Sequence, residues 1–332
     1  MDPVMLIEQA NNRGTLYAVV EQDDRVAYFY LYPSELFTNK YSPRPCWLRN
    51  LKAAPHKKDV QAMREGMAPM LEAAWCSHPE GKEPLEADRI EIVWTEEGDG
   101  AALLYDGALL GVIPGWTLYS DERAVAYATD CTGADDNSIV FPLGTPATNT
   151  LHAKVEKAAA FWKEWSDETN QAWGMLQPQY LHAYEAVLGE TTKYYAIDGD
   201  QWPPMGLARF ENNETVYLIT LGMSIRPMPV IEIFYNDNAP AFRRAELAMA
   251  FPKKDFPEEQ IMEVAATISG LADRPWKTLS WFGTGHTVGV SALPEPYNSL
   301  LLSAPAATDP AIAMPVVYGD PVNLYWLTPV QR

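Results

Sequence analysis

The sequence predicts an α+β protein of two domains, each with a mixed or antiparallel β-sheet packed by helices. Three observations predict it. Short apolar-aromatic runs separated by polar turns fill the first half, and three helical periodicities accompany strand-like runs in the second. Between them lies "PLGTPATNT", Pro142 to Thr150, whose glycine, prolines and threonines separate two patterned regions. At 332 residues and 47% hydrophobic content the chain can bury a core in each half. The expected division is 1–148 and 151–332, with the boundary between Pro142 and Ala158.

In the first half, "TLYAVVEQDDRVAYFYLY" is two apolar-aromatic runs split by a polar turn at Gln22 to Asp24, a hairpin by composition. "KDVQAMREGMAPMLEAAWC" places Val60, Met63, Met67 and Met70 at helical spacing, which predicts a helix kinked or broken near Pro69, its methionines expected to fill core, with an adaptable binding surface as the alternative. "RIEIVWTEEGDGAALLYDGALLGVI" alternates strand-like runs with turns at Glu96 to Gly100 and at Asp106-Gly107. "ERAVAYATDC" and "SIVFPL" read as further strands.

In the second half, Leu151, Val155, Ala158, Trp162 and Trp165 share one helical face, and "PQYLHAYEAVLG" predicts a short helix with Pro178 near its start and Gly189 as its C-cap. Strands are expected at "TVYLITLGMS", "VIEIFYN", "AELAMAF", "TVGVSAL", "SLLLSAP" and "VNLYWLTP", with one helix, "PEEQIMEVAATISGLAD", among them.

Catalytic signatures fail on their spacing. In "SWFGTGHTVGV", Gly283, Gly285 and Gly289 leave Val288 where a dinucleotide fingerprint needs its third glycine, and no GKS or GKT follows. Leu221-Gly222-Met223-Ser224-Ile225 lacks the second glycine of a nucleophile elbow. The five histidines, His56, His78, His152, His182 and His286, are too far apart for a helical zinc pair, and no calcium loop is present. Cys76-Ser77-His78 places a thiol beside an imidazole, but adjacent positions specify no geometry. The expectation is no catalytic residue, no cofactor and no metal.

The three cysteines, Cys46, Cys76 and Cys131, lack CxxC spacing and fit reduced thiols. No basic leader or long apolar run occurs, so the expected location is cytoplasmic. Acidic residues outnumber basic ones 44 to 25, an excess present in both halves. Such a field repels nucleic acid and anionic lipid, and it suits either simple solubility or capture of a basic protein.

Four segments of the second half, "YLITLGMS" (Tyr217 to Ser224), "AELAMAFP" (Ala245 to Pro252), "WFGTGHTV" (Trp281 to Val288) and "GDPVNLYWLTPV" (Gly319 to Val330), resemble in order and spacing the suppressor of fused domain family. The resemblance covers roughly 175–330, with "YLHAYEAVLGE" similar to the family's opening helix; residues 1–148 match no family by eye. It departs at Leu221, where the family has tyrosine, and at Gln331, where threonine is expected. The resemblance implies a binding module without catalysis, in whose relatives a peptide adds to exposed strand edges in a cleft between two domains. It implies partner contacts at Gly283, Gly285, His286 and Ile268, the last two standing where the animal proteins carry an acid and an aromatic. Bacterial members are regarded as immunity proteins of polymorphic toxin systems, so a basic toxin domain is the expected partner. A cytosolic scaffold binding peptide segments and an enzyme with dispersed site residues are the alternatives.

Overall fold

The computed structural model describes residues 2–58, 60–119, 125–166, 169, 171–291, 293 and 295–332. The chain divides into two compact units, Met1–Phe161 and Trp162–Arg332. The dividing point lies inside a helix, beyond the glycine-proline stretch that marks it in the sequence.

The first unit opens with an antiparallel meander of β1 (Val4–Ala10), β2 (Leu16–Gln22), β3 (Val26–Pro33) and β4 (Arg44–Asn50). The hairpin expected from composition is β2–β3, running from the Leu16–Pro33 pair to the Gln22–Ala27 pair. Its turn is held by Asp23, whose Oδ1 accepts from the backbone amides of Arg25 (2.7 Å) and Val26 (2.8 Å). Period-two alternation buries Leu16, Ala18, Val20, Ala27, Phe29 and Leu31 on one face.

The methionine helix is a correction. Only α1 (Val60–Arg64) forms, because Gly66 takes φ +84° and ends it. Met63 and Met67 are 38% and 40% exposed, so they fill no core.

A second sheet contains β5 (Ile90–Trp94), β6 (Ala101–Tyr105), β7 (Ala108–Ile113), β8 (Tyr127–Ala128) and β9 (Phe141–Pro142), with only the last pair parallel. The strands expected at 122–131 and 138–143 thus shrink to two residues each; 122–124 lie outside the described residues. From α2 (Leu151–Trp165), Leu151 and Val155 pack on Ala102, Val112 and Leu143 of this layer.

After the last turn of α2, the second unit continues with α3 (Gln171–Leu188), longer than expected: Pro178 lies inside it, and Gly189 at φ +88° ends it. Then come β10 (Thr191–Ala196), β11 (Gly206–Asn212), β12 (Thr215–Leu221), the short helix α4 (Ile231–Tyr235), β13 (Ala245–Pro252), α5 (Glu258–Ala272) and α6 (Arg274–Thr278). β14 (Thr287–Gly289), β15 (Ser299–Ser303), the two-residue pair β16 (Val316–Val317) and β17 (Asp320–Pro321), and β18 (Asn323–Val330) complete it.

Seven strands form one mixed sheet in the order β10-β11-β12-β13-β18-β15-β14, parallel only between β13 and β18. Its central strands read as near-continuous apolar runs because both faces are covered. Leu207, Leu218, Leu247 and Leu327 join Ile261, Val264 and Ile268 of α5 in one cluster. Ala208, Ile219, Ala248 and Trp326 join Tyr180, Tyr184 and Leu188 of α3 in the other.

"VIEIFYN" is helical where a strand is expected. Left-handed backbone at Val230 (φ +59°) and Asn236 (φ +47°) brackets a single turn, and a short apolar run does not distinguish the two states by pattern alone. No helix among the described residues is long and apolar enough to cross a membrane.

Candidate functional site

The segments singled out in the sequence meet in two places within the second unit. The first is a buried polar network. β12 ends at Gly222 in left-handed conformation (φ +93°), where a Cβ would lie 2.6 Å from the carbonyl oxygen of Pro204, so the turn requires glycine. This turn aims two amides at Glu246, whose Oε1 accepts from the Gly222 N–H (2.9 Å), the Ser224 N–H (3.0 Å) and the Ser224 hydroxyl (2.7 Å). Its Oε2 accepts from the Thr220 hydroxyl at 2.6 Å, which in turn accepts from the Leu247 amide at 2.8 Å. The Ser224 hydroxyl also bonds the Tyr180 hydroxyl of α3.

Arg244 extends the network. It is fully buried, donates to the carbonyls of Ser224 (3.0 Å) and Ile225, and donates through Nε to Asp320 Oδ2 at 2.8 Å. Arg243 forks onto both oxygens of the same carboxylate at 2.7 and 2.8 Å. Burial pushes the Glu246 carboxyl above its ordinary range, against the hydrogen bonds it accepts. For Asp320 burial acts the same way, but the two arginines outweigh it and hold that carboxyl below its ordinary range. The Leu-Gly-Met-Ser turn, the Glu-Leu strand and the Gly-Asp-Pro turn are therefore one interlocked scaffold. Its serine has a carboxylate and a tyrosine as partners but no histidine to activate it.

The second place is the glycine loop. Trp281 packs against the core cluster that holds Ile268, and its indole lies 4.3 Å from the His286 ring, 5.5 Å from Phe234 and 5.3 Å from Tyr235, centroid to centroid. Gly283 is glycine because a Cβ there would stand 2.3 Å from that indole. Gly285 takes φ +86° with open space around it, a turn requirement instead of a packing one. The loop is pinned to β15 by Gly285 N–H to Leu302 O and Leu302 N–H to His286 O, both 2.8 Å, and closed by His286 N–H to Gly283 O at 3.1 Å.

Of the four residues the resemblance implies, Gly283, Gly285 and His286 thus share one loop, with Gly285 exposed and His286 half-buried. Ile268 is 0% exposed and presents no side-chain surface. Sequence reading missed Phe234, which stands 54% exposed beside Trp281, because it assigned that run to a strand. The aromatic pair Phe234-Tyr235 next to a polar Asn-Asp-Asn turn is the signal that could have marked it.

The remaining candidates separate from this surface. Cys76 is buried, and burial pushes its thiol up, away from the thiolate a nucleophile needs. Among the described residues no group of three His, Cys, Asp or Glu side chains is placed to hold a metal ion.

No curated protein matches the chain. Residues 201–332, which span β11 to β18 and exclude α3, match the family model described as Suppressor of fused protein (SUFU). Such a domain points to a protein-binding module, in a family generally without catalysis. Residues 201–332, about two fifths of the chain, are thus similar to a suppressor of fused domain.

Proposed function

We propose that the chain is a non-catalytic binding module that serves in the cytoplasm as an immunity protein, neutralising the cognate toxin of a bacterial polymorphic toxin system. The observation that carries the reading is how the motif residues are used. Ser224, Glu246 and Asp320 spend their polar atoms on one another and on Thr220, Arg243 and Arg244, inside the domain. What the glycine loop offers at the surface, with Phe234 of the neighbouring α4, is Trp281 and His286 around the exposed tip at Thr284 and Gly285. Aromatic side chains on a rigid backbone support are the residue types that dominate protein–protein recognition. Ile268 supports this surface from within the core.

The partner's class follows from charge. A formal net charge of −19 favours fast capture of a basic protein and disfavours nucleic acid and anionic membranes. The test is capture of partner from the source cell by the full chain and by Phe234→Ala and His286→Ala variants. Each variant is expected to hold partner about tenfold more weakly with an unchanged melting curve. Undiminished capture by both folded variants would move the interface away from the glycine loop.

A further inference from the structure

The meander β1–β4 has a second face, on which Val19 and Tyr28 are buried and Tyr17, Tyr30 and Tyr32 are half-buried. Opposite the buried Leu16, Ala18, Val20 face, the register puts Tyr17 against Tyr32, Val19 against Tyr30 and Glu21 against Tyr28, with Glu8 and Met5 of β1 facing Val19 and Glu21. Tyr28, Tyr30 and Tyr32 form a ladder with successive ring centroids 5.5 and 5.4 Å apart. Two concavities open onto this face. One of about 570 Å³ is lined by Glu21, Tyr28, Tyr30, Met63 and Met67, and one of about 690 Å³ by Glu8, Tyr17, Glu21, Tyr32, Glu35 and Leu36. Glu21 lines both.

Tyrosines on a sheet also stabilise it through cross-strand pairs, and Tyr28, whose hydroxyl donates to the Pro69 carbonyl at 2.7 Å, is accounted for in that way. That role does not explain the rest of the surface. Leu36 stands 84% and Met5 56% exposed at the second concavity, and Met63 and Met67 are 38% and 40% exposed at the first. Among the described residues the only cationic side chain lining either concavity, Arg25 in the first, is committed to Asp23 at 2.6 Å, while Glu21 lines both and Glu8 and Glu35 line the second. Tyrosine faces attract ammonium and guanidinium groups, carboxylates pair with them, and the apolar rim accepts the aliphatic stems or a neighbouring anchor.

We propose that this tyrosine and glutamate face of the first unit is a docking surface for lysine and arginine side chains of a basic segment of the protein partner, an inference that rests on the binding-module reading above. The probe is hexa-arginine, titrated calorimetrically into the full chain at low salt. Tyr30→Ser/Tyr32→Ser leaves the charge unchanged and should weaken binding about fivefold; Glu8→Gln/Glu21→Gln should weaken it about tenfold. Glu259→Gln/Glu263→Gln removes the same charge from the exposed side of α5 and should change it less than about twofold. Equal loss from the two glutamate pairs, or no loss from the tyrosine pair in a folded protein, overturns the proposal by reducing it to the general field of the chain.

Capture of a natural partner separates this inference from the reading beneath it. Face variants that retain the basic partner at wild-type strength would sink the docking surface and leave the binding module standing. A source cell that yields no basic partner, while hexa-arginine still binds this face, would sink the partner reading instead.

Discussion

Glu246→Ala should be among the most damaging single substitutions in the second unit. The carboxylate is fully buried and accepts four hydrogen bonds, two from backbone amides that have no other acceptor in their turn and two from the buried Thr220 and Ser224 hydroxyls. The hydroxyls can turn elsewhere, Ser224 to Tyr180 and Thr220 to the Leu247 carbonyl at 3.4 Å. The two amides cannot. At roughly 1–3 kcal/mol for each stranded group the loss is about 4 kcal/mol, with some of it returned because a buried carboxylate no longer needs desolvating. Glu246→Gln keeps one carbonyl oxygen for the amides and the serine, and should cost only about 1 kcal/mol.

The pH dependence has a definite sign. Because burial raises the carboxyl's folded value, Glu246 contributes most to stability below its unfolded range, and that contribution falls as pH rises from there through the folded value. The advantage of wild type over Glu246→Gln should therefore shrink across that window. Native-state hydrogen exchange of the β12 and β13 amides reads the opening free energy of this unit without assuming that both units unfold together. A Glu246→Ala cost under about 1 kcal/mol, or a wild-type advantage that grows with pH, would refute the network as the scaffold of the turn.

Asp320→Asn should destabilise the second unit by about 3 kcal/mol, since it weakens the pairing of a fully buried guanidinium. Its carboxyl is held below its ordinary range, so the contribution is present above the unfolded value and is lost as pH falls through the folded one, which acid titration of the same amides checks. The three thiols should alkylate slowly in the native state and quickly in urea, because burial pushes Cys131 up to about 11 and Cys46 further still; rapid native labelling by iodoacetamide would contradict this. Limited proteolysis should cut first in the exposed stretch 144–148, if the two units are independent domains divided as the sequence suggests, and fragment masses report the site.

The elements legible in the sequence are those whose pattern matches their burial. β12, β13 and β18 are apolar runs covered on both faces, β15 buries Leu300 and Leu302 on one, and α5 carries Ile261, Val264, Ala265 and Ile268 on one stripe. β10 was missed because an edge strand reads polar, and β11 because Arg209 interrupts it. Arg209 is 2% exposed overall, and its two terminal nitrogens pair with Glu258 and Glu211, partners that local pattern does not reveal. The methionine spacing at 60–70 mimicked a helix that Gly66 and Pro69 do not allow.

The candidate site was legible only as backbone. Gly283 and Gly285 announced a turn, while nothing in "AELAMAF" beyond strand pattern marked Glu246 as a buried acid. The packing of Phe234 on Trp281, and the convergence of Ser224, Glu246 and Asp320, depend on strand order in a sheet that crosses over between β13 and β18.

The central claim, that this chain is a binding module for a basic protein partner, is tested most directly by capture on the immobilised full chain from a lysate of its source cell, with intact-mass analysis of the eluted complex. One basic protein at a one-to-one ratio is expected, whose association rate falls at least several-fold between low and physiological salt while dissociation changes little. Recovery of several substoichiometric partners, of none, or of one whose association ignores salt would contradict it.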